Sequence, residues 1–277
     1  MRTRAIRRGK VWLVGAGPGD PGLLTVRAWR LLQSADVVAY DELVSEEILA
    51  IAPARAERIA VGRRAAGRRH HEARIHPLVI ERALEGREVI RLKGGDPFIF
   101  GRGGEEAEEL AIARVPFEIV PGISAALGAA ASTHIPLTHR EVAASVTFAT
   151  AHAADDHEDV DLRGAIPQRG TVVLYMGLGR LDATCAALVA AGRAPSTPAA
   201  VVSHATRPDQ RVVIGTLADI GARVRDASLE PPALIIVGEV VARAVESPVA
   251  MRELVALTGS ADTPAALPQP IQRRIAG

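Results

Sequence analysis

The sequence of 277 residues contains a single cysteine, Cys185. One thiol excludes a disulfide within the chain and any metal site built from several cysteines. No other group of histidine, cysteine and carboxylate residues has the spacing of metal ligands, so we expect no metal. Free thiols persist in reducing compartments, and we therefore expect a cytoplasmic protein.

Aromatic residues are scarce, at 3% of the chain, and the net charge is only +1. Proteins that bind single-stranded nucleic acid combine a basic groove with aromatic side chains on which bases stack. Here two clusters of basic residues stand out, a leader before residue 11 and a block at residues 63–71, and neither contains an aromatic residue. We therefore expect no nucleic acid partner.

Hydrophobic residues make up 48% of the chain, but no apolar run is long enough to cross a bilayer. The first run, at residues 11–14, ends at Gly15 and is typical of a buried strand rather than of a signal peptide. We therefore expect a folded protein with no membrane partner. Its length gives room for one large domain or two small ones.

Short apolar segments alternate with helical patterns along the chain. In the first half, strands are predicted at residues 11–14, 36–40, 58–61, 89–92 and 116–120, and helices at 23–34, 46–54, 76–85 and 105–113. In the second half, strands are predicted at 145–150, 171–176, 199–203, 210–215 and 233–237, and helices at 181–190 and 217–225. The first half is typical of parallel βαβ units with right-handed crossovers. The segment 210–215 is predicted to join an antiparallel pair.

This order of elements predicts an α/β protein of two domains, with the change at Pro136. We expect a disordered basic arm at residues 1–9, an N-terminal α/β domain with a parallel sheet at 10–138, a C-terminal α/β domain with a mixed sheet at 139–245 and a partly disordered tail at 246–277. Residues 153–168 are expected to form a mobile surface loop.

A glycine-rich turn, GAGPGDPG at residues 15–22, follows the first predicted strand. It departs from a dinucleotide fingerprint because Asp20 stands where the last glycine belongs, and because Pro18 has no N–H for a pyrophosphate. No Gly-Lys-Ser/Thr follows, which excludes a Walker loop. A nicotinamide-dependent oxidoreductase is therefore disfavoured, while a plain strand-to-helix turn remains an alternative.

A second glycine-rich segment, RLKGGDPFIFGRGGEE, occupies residues 91–106 and also follows a strand. Open α/β sheets bind ligands at the carboxyl ends of their strands. Asp96 and Glu105 favour a cationic group, such as an amine or a sulfonium, over a phosphate. Glu106 has an equally good structural explanation, as an acidic residue that compensates the dipole at a helix N-terminus.

A third segment, PGISAA at residues 121–126, connects a strand to a helix of small residues. Ser124 is predicted either to cap this helix or to meet a ligand with its hydroxyl group. The helix itself, rich in alanine and glycine, favours close packing over a binding role.

Seven segments in order resemble the tetrapyrrole methylase family, from about residue 10 to about residue 243: VGAGPGDPGLLT, YDELVS, RLKGGDPFIFGRGGEE, VPGISAA, IPLTHR, YMGL and IIVGEVV. Two of them, GGDPFIFGRGGEE and PLTHR, are more similar to the members that methylate uroporphyrinogen III than to methylases of later precorrins. The resemblance implies a tetrapyrrole methylase fold of two α/β domains, with S-adenosylmethionine in the cleft between them. It also implies a homodimer.

The reaction implied by the resemblance is methylation of uroporphyrinogen III at C2 and C7, which gives precorrin-2 for sirohaem or cobalamin biosynthesis. S-adenosylmethionine is the methyl donor and S-adenosylhomocysteine the second product. A methylase of a later precorrin and a non-catalytic tetrapyrrole-binding protein of the same fold are the alternatives. No dehydrogenase or chelatase segment is recognisable, and we expect those steps to need other proteins.

The resemblance also implies roles for individual residues. The expected contacts with S-adenosylmethionine fall on Pro18, Gly94, Gly95, Asp96, Ile99, Ser124, Ala125, Met176 and Ala205. The catalytic positions fall on Asp41, as proton acceptor, and on Arg63. The substrate contacts fall on Arg102, Glu105, Arg140 and His152. For Arg102 and Arg140 the alternative is an exposed structural ion pair.

Three positions depart from the family pattern. Arg63 stands where the family usually has a lysine, proposed there as a proton donor. Arginine effectively never gives up its proton, so Arg63 is better suited to clamp a substrate carboxylate. Glu42 replaces an arginine that can contact the substrate in relatives. Ala205 replaces a glycine whose main chain makes the contact, and a main-chain contact tolerates that change.

Overall fold

The computed structural model describes residues 9–61, 75–151 and 167–244, and contains two five-stranded sheets. This arrangement confirms the predicted α/β fold class. The boundary expected at residue 138 stays a prediction. Arg63 and His152 lie outside the described residues, as do the parts of the predicted arm, loop and tail at residues 1–8, 153–166 and 246–277.

The first sheet has five parallel strands in the order β3-β2-β4-β1-β5. The strands are β1 (Lys10–Gly15), β2 (Val37–Tyr40), β3 (Glu57–Ala60), β4 (Glu88–Lys93) and β5 (Phe117–Val120). The helices α1 (Val26–Gln33) and α2 (Glu46–Leu49) cover one face, and α3 (Pro77–Leu84) and α4 (Gly103–Ile112) cover the other.

The strand order of the first sheet creates a crevice at its carboxyl edge. The chain leaves β1 across β4 to reach β2, whereas it leaves β4 across β1 to reach β5. The two connections therefore run in opposite directions. In open α/β sheets, ligands bind where the direction reverses in this way.

The second sheet is mixed, with the order β6-β7-β10-β8-β9. Its strands are β6 (Val146–Thr150), β7 (Thr171–Tyr175), β8 (Pro198–Ser203), β9 (Arg211–Thr216) and β10 (Ala233–Val237). Strands β6 and β7 pair in parallel, and the other three pairings are antiparallel, including the predicted one, which joins β9 to β8. The helices α6 (Leu181–Ala190) and α7 (Ile220–Asp226) cover one face.

Helix α5 (Ala125–Thr133) follows the last strand of the first sheet but packs on the second sheet, together with a 3₁₀ helix at Glu239–Arg243. Ala126 and Ala129 are fully buried in this contact. A Cβ atom on Gly128 would lie only 2.5 Å from Cγ of Pro18. The close packing predicted for this small-residue helix is therefore confirmed.

Three helix ends differ from their predicted positions. Helix α1 begins at Val26 rather than at residue 23, because the hydroxyl of Thr25 caps it by accepting a hydrogen bond from N of Ala28 at 3.1 Å. Helix α2 ends at Leu49 rather than at residue 54, and Pro53 disfavours helical backbone at Ala52. Helix α7 begins at residue 220, not 217. None of the helices in the described ranges is long and apolar enough to cross a membrane.

Candidate active site

Three glycine turns meet at the carboxyl edge of the first sheet. Gly17 and Gly95 pair through two backbone hydrogen bonds, of 3.1 Å from N of Gly17 and 2.8 Å from N of Gly95. A Cβ atom on Gly122 would lie 2.8 Å from Cα of Gly15 and closer still to the carbonyl oxygen of Gly95. The turns after β1, β4 and β5 therefore touch through bare backbone, which explains the glycines in all three segments.

The carboxylate of Asp96 joins two of these turns. One oxygen accepts a hydrogen bond from N of Phe98 at 2.9 Å, and the other accepts one from N of Gly122 at 3.0 Å. Asp96 therefore fixes the start of the long loop after β4 and ties it to the turn after β5. Its negative charge, which the sequence indicates for a cationic ligand, also has this structural role.

The loop between β4 and α4 presents large apolar side chains at the surface. Phe98, Ile99 and Phe100 are 55%, 37% and 40% exposed. The ring of Phe100 lies 4.8 Å from that of Tyr175, centroid to centroid, so the loop reaches the second sheet. Met176, the next residue along the chain, is 54% exposed. Exposed apolar groups that lie together are typical of a ligand groove.

Tyr175 at the end of β7 connects the second sheet to the start of α5. Its hydroxyl lies 2.5 Å from Oγ of Ser124 and accepts a hydrogen bond from N of Ala126 at 3.1 Å. The expectation that Ser124 caps the helix with its own hydroxyl is therefore wrong, because Ser124 makes no side-chain cap and the tyrosine hydroxyl meets the helix N–H instead.

The loop after β8 approaches the first glycine turn. Ala205 lies between His204 and Thr206, which both have left-handed backbone, with φ of 50° and 69°. The hydroxyl of Thr206 accepts a hydrogen bond from N of Asp20 at 3.2 Å. In the next position the guanidinium of Arg207 donates to the carbonyl oxygen of Leu43, in the loop after β2. Loops from both sheets thus border the same crevice.

Four charged side chains cluster where β2 and β4 end and α4 begins. We call this cluster the charged quartet: Asp41, Arg91, Lys93 and Glu106. Nη2 of Arg91 lies 2.6 Å from Oδ1 of Asp41 and 2.8 Å from Oε1 of Glu106. Nζ of Lys93 lies 3.0 Å from Oε2 of Glu106 and 3.9 Å from Oδ2 of Asp41. The charges of the quartet sum to zero when all four groups are ionised.

The quartet is buried except at Asp41. The side chains of Arg91, Lys93 and Glu106 are 6%, 3% and 9% exposed, whereas that of Asp41 is 29% exposed. Burial opposes the charge of Arg91, but the attraction of Asp41 and Glu106 outweighs it and raises its pKa. Burial, and then repulsion by Arg91, lower the pKa of Lys93.

The predicted substrate residues within the described ranges, Arg102, Glu105 and Arg140, lie nearer the surface. Arg102 has left-handed backbone, with φ of 56°, at the start of α4, and its Nε lies 3.5 Å from Oε1 of Glu105. The two side chains are 50% and 46% exposed, as in the surface ion pair that was the alternative for Arg102. Arg140 is exposed and borders an open recess lined by Thr138, His139, Ala143 and Ala144.

The sequence analysis assigned no role to three residues of this region, Arg91, Lys93 and Tyr175. Arg91 and Lys93 are charged residues two apart in the strand sequence EVIRLK, and this spacing places them on one face of a buried strand. That pattern is a usable signal, because a buried charge needs a partner. Glu106 lies in the first turn of α4, where an acidic residue compensates the helix dipole as predicted. It is also the buried partner of Arg91. Tyr175 had no comparable signal.

A family model described as Tetrapyrrole (Corrin/Porphyrin) Methylases matches residues 10–221. A siroheme synthase from Azotobacter vinelandii is 52% identical over 233 residues, 84% of this chain and 50% of that protein. A siroheme synthase from Pseudomonas putida is 53% identical over 233 residues, again 84% of this chain and 50% of that protein. The chain therefore spans about half the length of these curated relatives.

Solved structures of similar fold include those of two methyltransferases, one of them in two forms. A uroporphyrin III C-methyl transferase from Thermus thermophilus is 40% identical with a TM-score of 0.73, over 85% of this chain and 100% of that one. The same enzyme complexed with S-adenyl homocysteine has a TM-score of 0.67 over the same shares of the two chains. A cobalt precorrin-4 methyltransferase is 30% identical with a TM-score of 0.71, over 84% of this chain and 95% of that one.

Proposed function

The chain belongs to the tetrapyrrole methylase family, as its segments predict, and we propose that it methylates uroporphyrinogen III at C2 and C7 to give precorrin-2. The methyl donor in this proposal is S-adenosylmethionine. The observation that carries it is the convergence on one crevice of the three glycine turns of the first sheet and the loops after β7 and β8. The resemblance and the similarity to the Thermus thermophilus enzyme support uroporphyrinogen III as the proposed substrate.

The crevice suits the donor chemically. Around Gly95, whose φ is +67°, a Cβ atom would meet only N of Ala125, at 3.7 Å, so the backbone there is open to a ligand. Ile99 and Met176 offer apolar surface for an adenosine. We propose the full set of contacts as Pro18, Gly94, Gly95, Asp96, Ile99, Ser124, Ala125, Met176 and Ala205. When bound, S-adenosylmethionine supplies an electrophilic methyl group on a sulfonium that is already a good leaving group.

The arginines near the crevice suit the substrate, because uroporphyrinogen III is a polycarboxylate and a guanidinium binds a carboxylate bidentately. We propose Arg102 and Arg140 as substrate clamps, with Glu105 orienting Arg102 through their ion pair. By resemblance, Arg63 and His152 belong to the same set. Holding a pyrrole carbon in line with the methyl group can lower the barrier by about 7–11 kcal/mol in well-oriented cases.

Asp41 is proposed as the proton acceptor. Methylation of a pyrrole carbon leaves a cationic ring. A carbon next to the methylated position must then lose a proton to restore a neutral product. Asp41 follows β2 directly and is the most exposed member of the charged quartet, so its carboxylate is available to stabilise that cation and take the proton. By resemblance, we also propose that the protein works in the cytoplasm as a homodimer. Light scattering of the purified protein tests the dimer.

Incubation of the purified protein with methyl-labelled S-adenosylmethionine and uroporphyrinogen III, followed by mass analysis, tests the function. The proposal predicts a labelled product heavier than the substrate by two methylene groups. Tight binding without label transfer would favour the non-catalytic alternative. Labelling of a later precorrin but not of uroporphyrinogen III would favour the second alternative, consistent with the cobalt precorrin-4 methyltransferase as a neighbour.

A further inference from the structure

We propose that Arg91 and Glu106 are positioning residues, which hold Asp41 so that its Oδ2 atom alone receives the proton. The inference rests on the proposed function, because it assigns the geometry behind the role of Asp41. In this step the proton leaves the ring carbon for Oδ2, and the C–H electron pair returns to the cationic pyrrole. The carboxylate becomes a carboxylic acid, and nothing is oxidised or reduced.

The register of the first sheet brings these side chains together. Ala39 of β2 pairs with Arg91 of β4, and N of Asp41 donates to the carbonyl oxygen of Leu92 at 3.1 Å, which extends the pairing one residue past the strand. Successive side chains point to opposite faces of a sheet. Asp41, Arg91 and Lys93 therefore share the face that α3 and α4 cover, and Glu106 comes from α4.

The two carboxylate oxygens of Asp41 have different surroundings. Oδ1 accepts a hydrogen bond from Nη2 of Arg91 at 2.6 Å. Oδ2 lies 3.9 Å from Nζ of Lys93, which is beyond hydrogen-bond distance. Oδ2 therefore keeps its lone pairs available, while Oδ1 fixes the orientation of the group.

Glu106 is what keeps Arg91 in this orientation. Its Oε1 accepts from Nε of Arg91 at 3.0 Å and from Nη2 at 2.8 Å, and Nη1 donates to the carbonyl oxygen of Leu92 at 3.2 Å. These three contacts fix the plane of the guanidinium. One hydrogen of Nη2 remains for Asp41, so the position of Oδ1 follows from that plane.

Glu106 also holds Lys93 away from the accepting atom. Its buried Oε2 makes no well-directed hydrogen bond, but it lies 3.0 Å from Nζ of Lys93, against 3.9 Å for Oδ2 of Asp41, so the ammonium forms its closer ion pair with Glu106. Without the Glu106 charge, two buried cations would face a single carboxylate. Lys93 would then move towards Oδ2 and block the lone pair that the proton needs.

Glu106→Gln tests the proposal, because the amide keeps the shape but turns an N–H donor or a neutral oxygen towards Lys93. We expect kcat for methyl transfer to fall at least tenfold, while KM for uroporphyrinogen III and Kd for S-adenosylhomocysteine change less than twofold. Glu108→Gln, at an exposed position of the same helix, is the matched control and should leave kcat unchanged. Single-turnover transfer of a labelled methyl group gives the rates.

A double-mutant cycle with Asp41→Asn separates positioning from a merely structural role. If Glu106 acts through Asp41, then Glu106→Gln adds less than a twofold loss in the Asp41→Asn background. An equal loss in both backgrounds, or an unchanged kcat in folded Glu106→Gln, overturns the proposal. Arg91→Lys, which keeps the charge but loses the planar fork, provides a second cycle with the same expectation if Glu106→Gln does not fold. Failure of the wild-type protein to transfer methyl groups would instead contradict the proposed function, and this result is distinguishable from failure of the positioning proposal.

Discussion

The hydroxyl oxygen of Tyr175, the last residue of β7, lies 2.5 Å from Oγ of Ser124 at the start of α5. Ser124 is only 6% exposed, and Tyr175 is partly buried. Burial raises the pKa of Tyr175, so the hydroxyl stays protonated at neutral pH. The contact joins the second sheet to the helix that leaves the first, directly beside the proposed cofactor contacts at Ala125 and Met176.

Tyr175→Phe is expected to lower the free energy of unfolding by about 1–3 kcal/mol, because Oγ of Ser124 and N of Ala126 lose a partly buried hydrogen-bond partner. It should also weaken the binding of S-adenosylhomocysteine, because the adjacent Ala125 loses its fixed position. Denaturant unfolding and calorimetric titration measure the two effects.

Tyr40→Phe is the matched control for this change. It removes the same hydroxyl from the other tyrosine of the chain, which has no hydrogen-bond partner for that group within the described ranges. Equal effects of the two substitutions would show that the link between the sheets is not what Tyr175 contributes.

Gly122→Ala is expected to destabilise the protein by about 1–3 kcal/mol, because its Cβ would lie 2.8 Å from Cα of Gly15 and closer to the carbonyl oxygen of Gly95, both of which are backbone atoms rather than flexible side-chain ends. Gly104→Ala is the comparison. A Cβ there meets nothing within 4 Å, and alanine favours helical backbone over glycine, so this change in the first turn of α4 should stabilise slightly. Unfolding curves should move in opposite directions, and a neutral Gly122→Ala would contradict the close contact of the three turns.

Asp41→Asn is expected to lower kcat about 10²–10⁴-fold, the range that a general base contributes. The amide oxygen can still accept the hydrogen bond of Arg91, so the local structure should persist. Kd for S-adenosylhomocysteine should stay within twofold of the wild-type value. Steady-state kinetics and titration check this, and an unchanged kcat would remove Asp41 from the mechanism.

His76 predicts a pH dependence of stability. Its Nδ1 caps α3 by accepting from N of Leu78 at 3.3 Å, which requires a neutral ring. Burial, and then the charge of Arg91, lower the pKa of His76 in the folded state. The unfolded chain therefore takes up a proton first as the pH falls below about 6.5, and the free energy of unfolding decreases from there down to the folded-state pKa.

Asn is a matched replacement at this position, since it caps helices without titrating. The difference in unfolding free energy between wild type and His76→Asn should therefore change with pH below about 6.5 and be flat above it. A difference that does not vary with pH would show that His76 is equally basic in both states.

The sequence predicted the strands well because most of them are short apolar runs, many of which end at a glycine, a proline or a charged residue. It was less accurate at helix ends, where one side chain decides, as Thr25 does for α1. The glycine turns could be identified from spacing. The partners of Arg91 and the role of Tyr175 could not, because they depend on which strands become neighbours and on how α5 packs on the second sheet.

A crystal structure of the protein with S-adenosylhomocysteine tests the central claim most directly. We predict that the ligand lies in the crevice between the glycine turns and the loop after β7. Its sulfur atom should lie near Gly94 and Met176, on the side of the crevice that gives the substrate access to Asp41. A structure that shows the ligand elsewhere, or shows none at saturating concentration, would contradict the account.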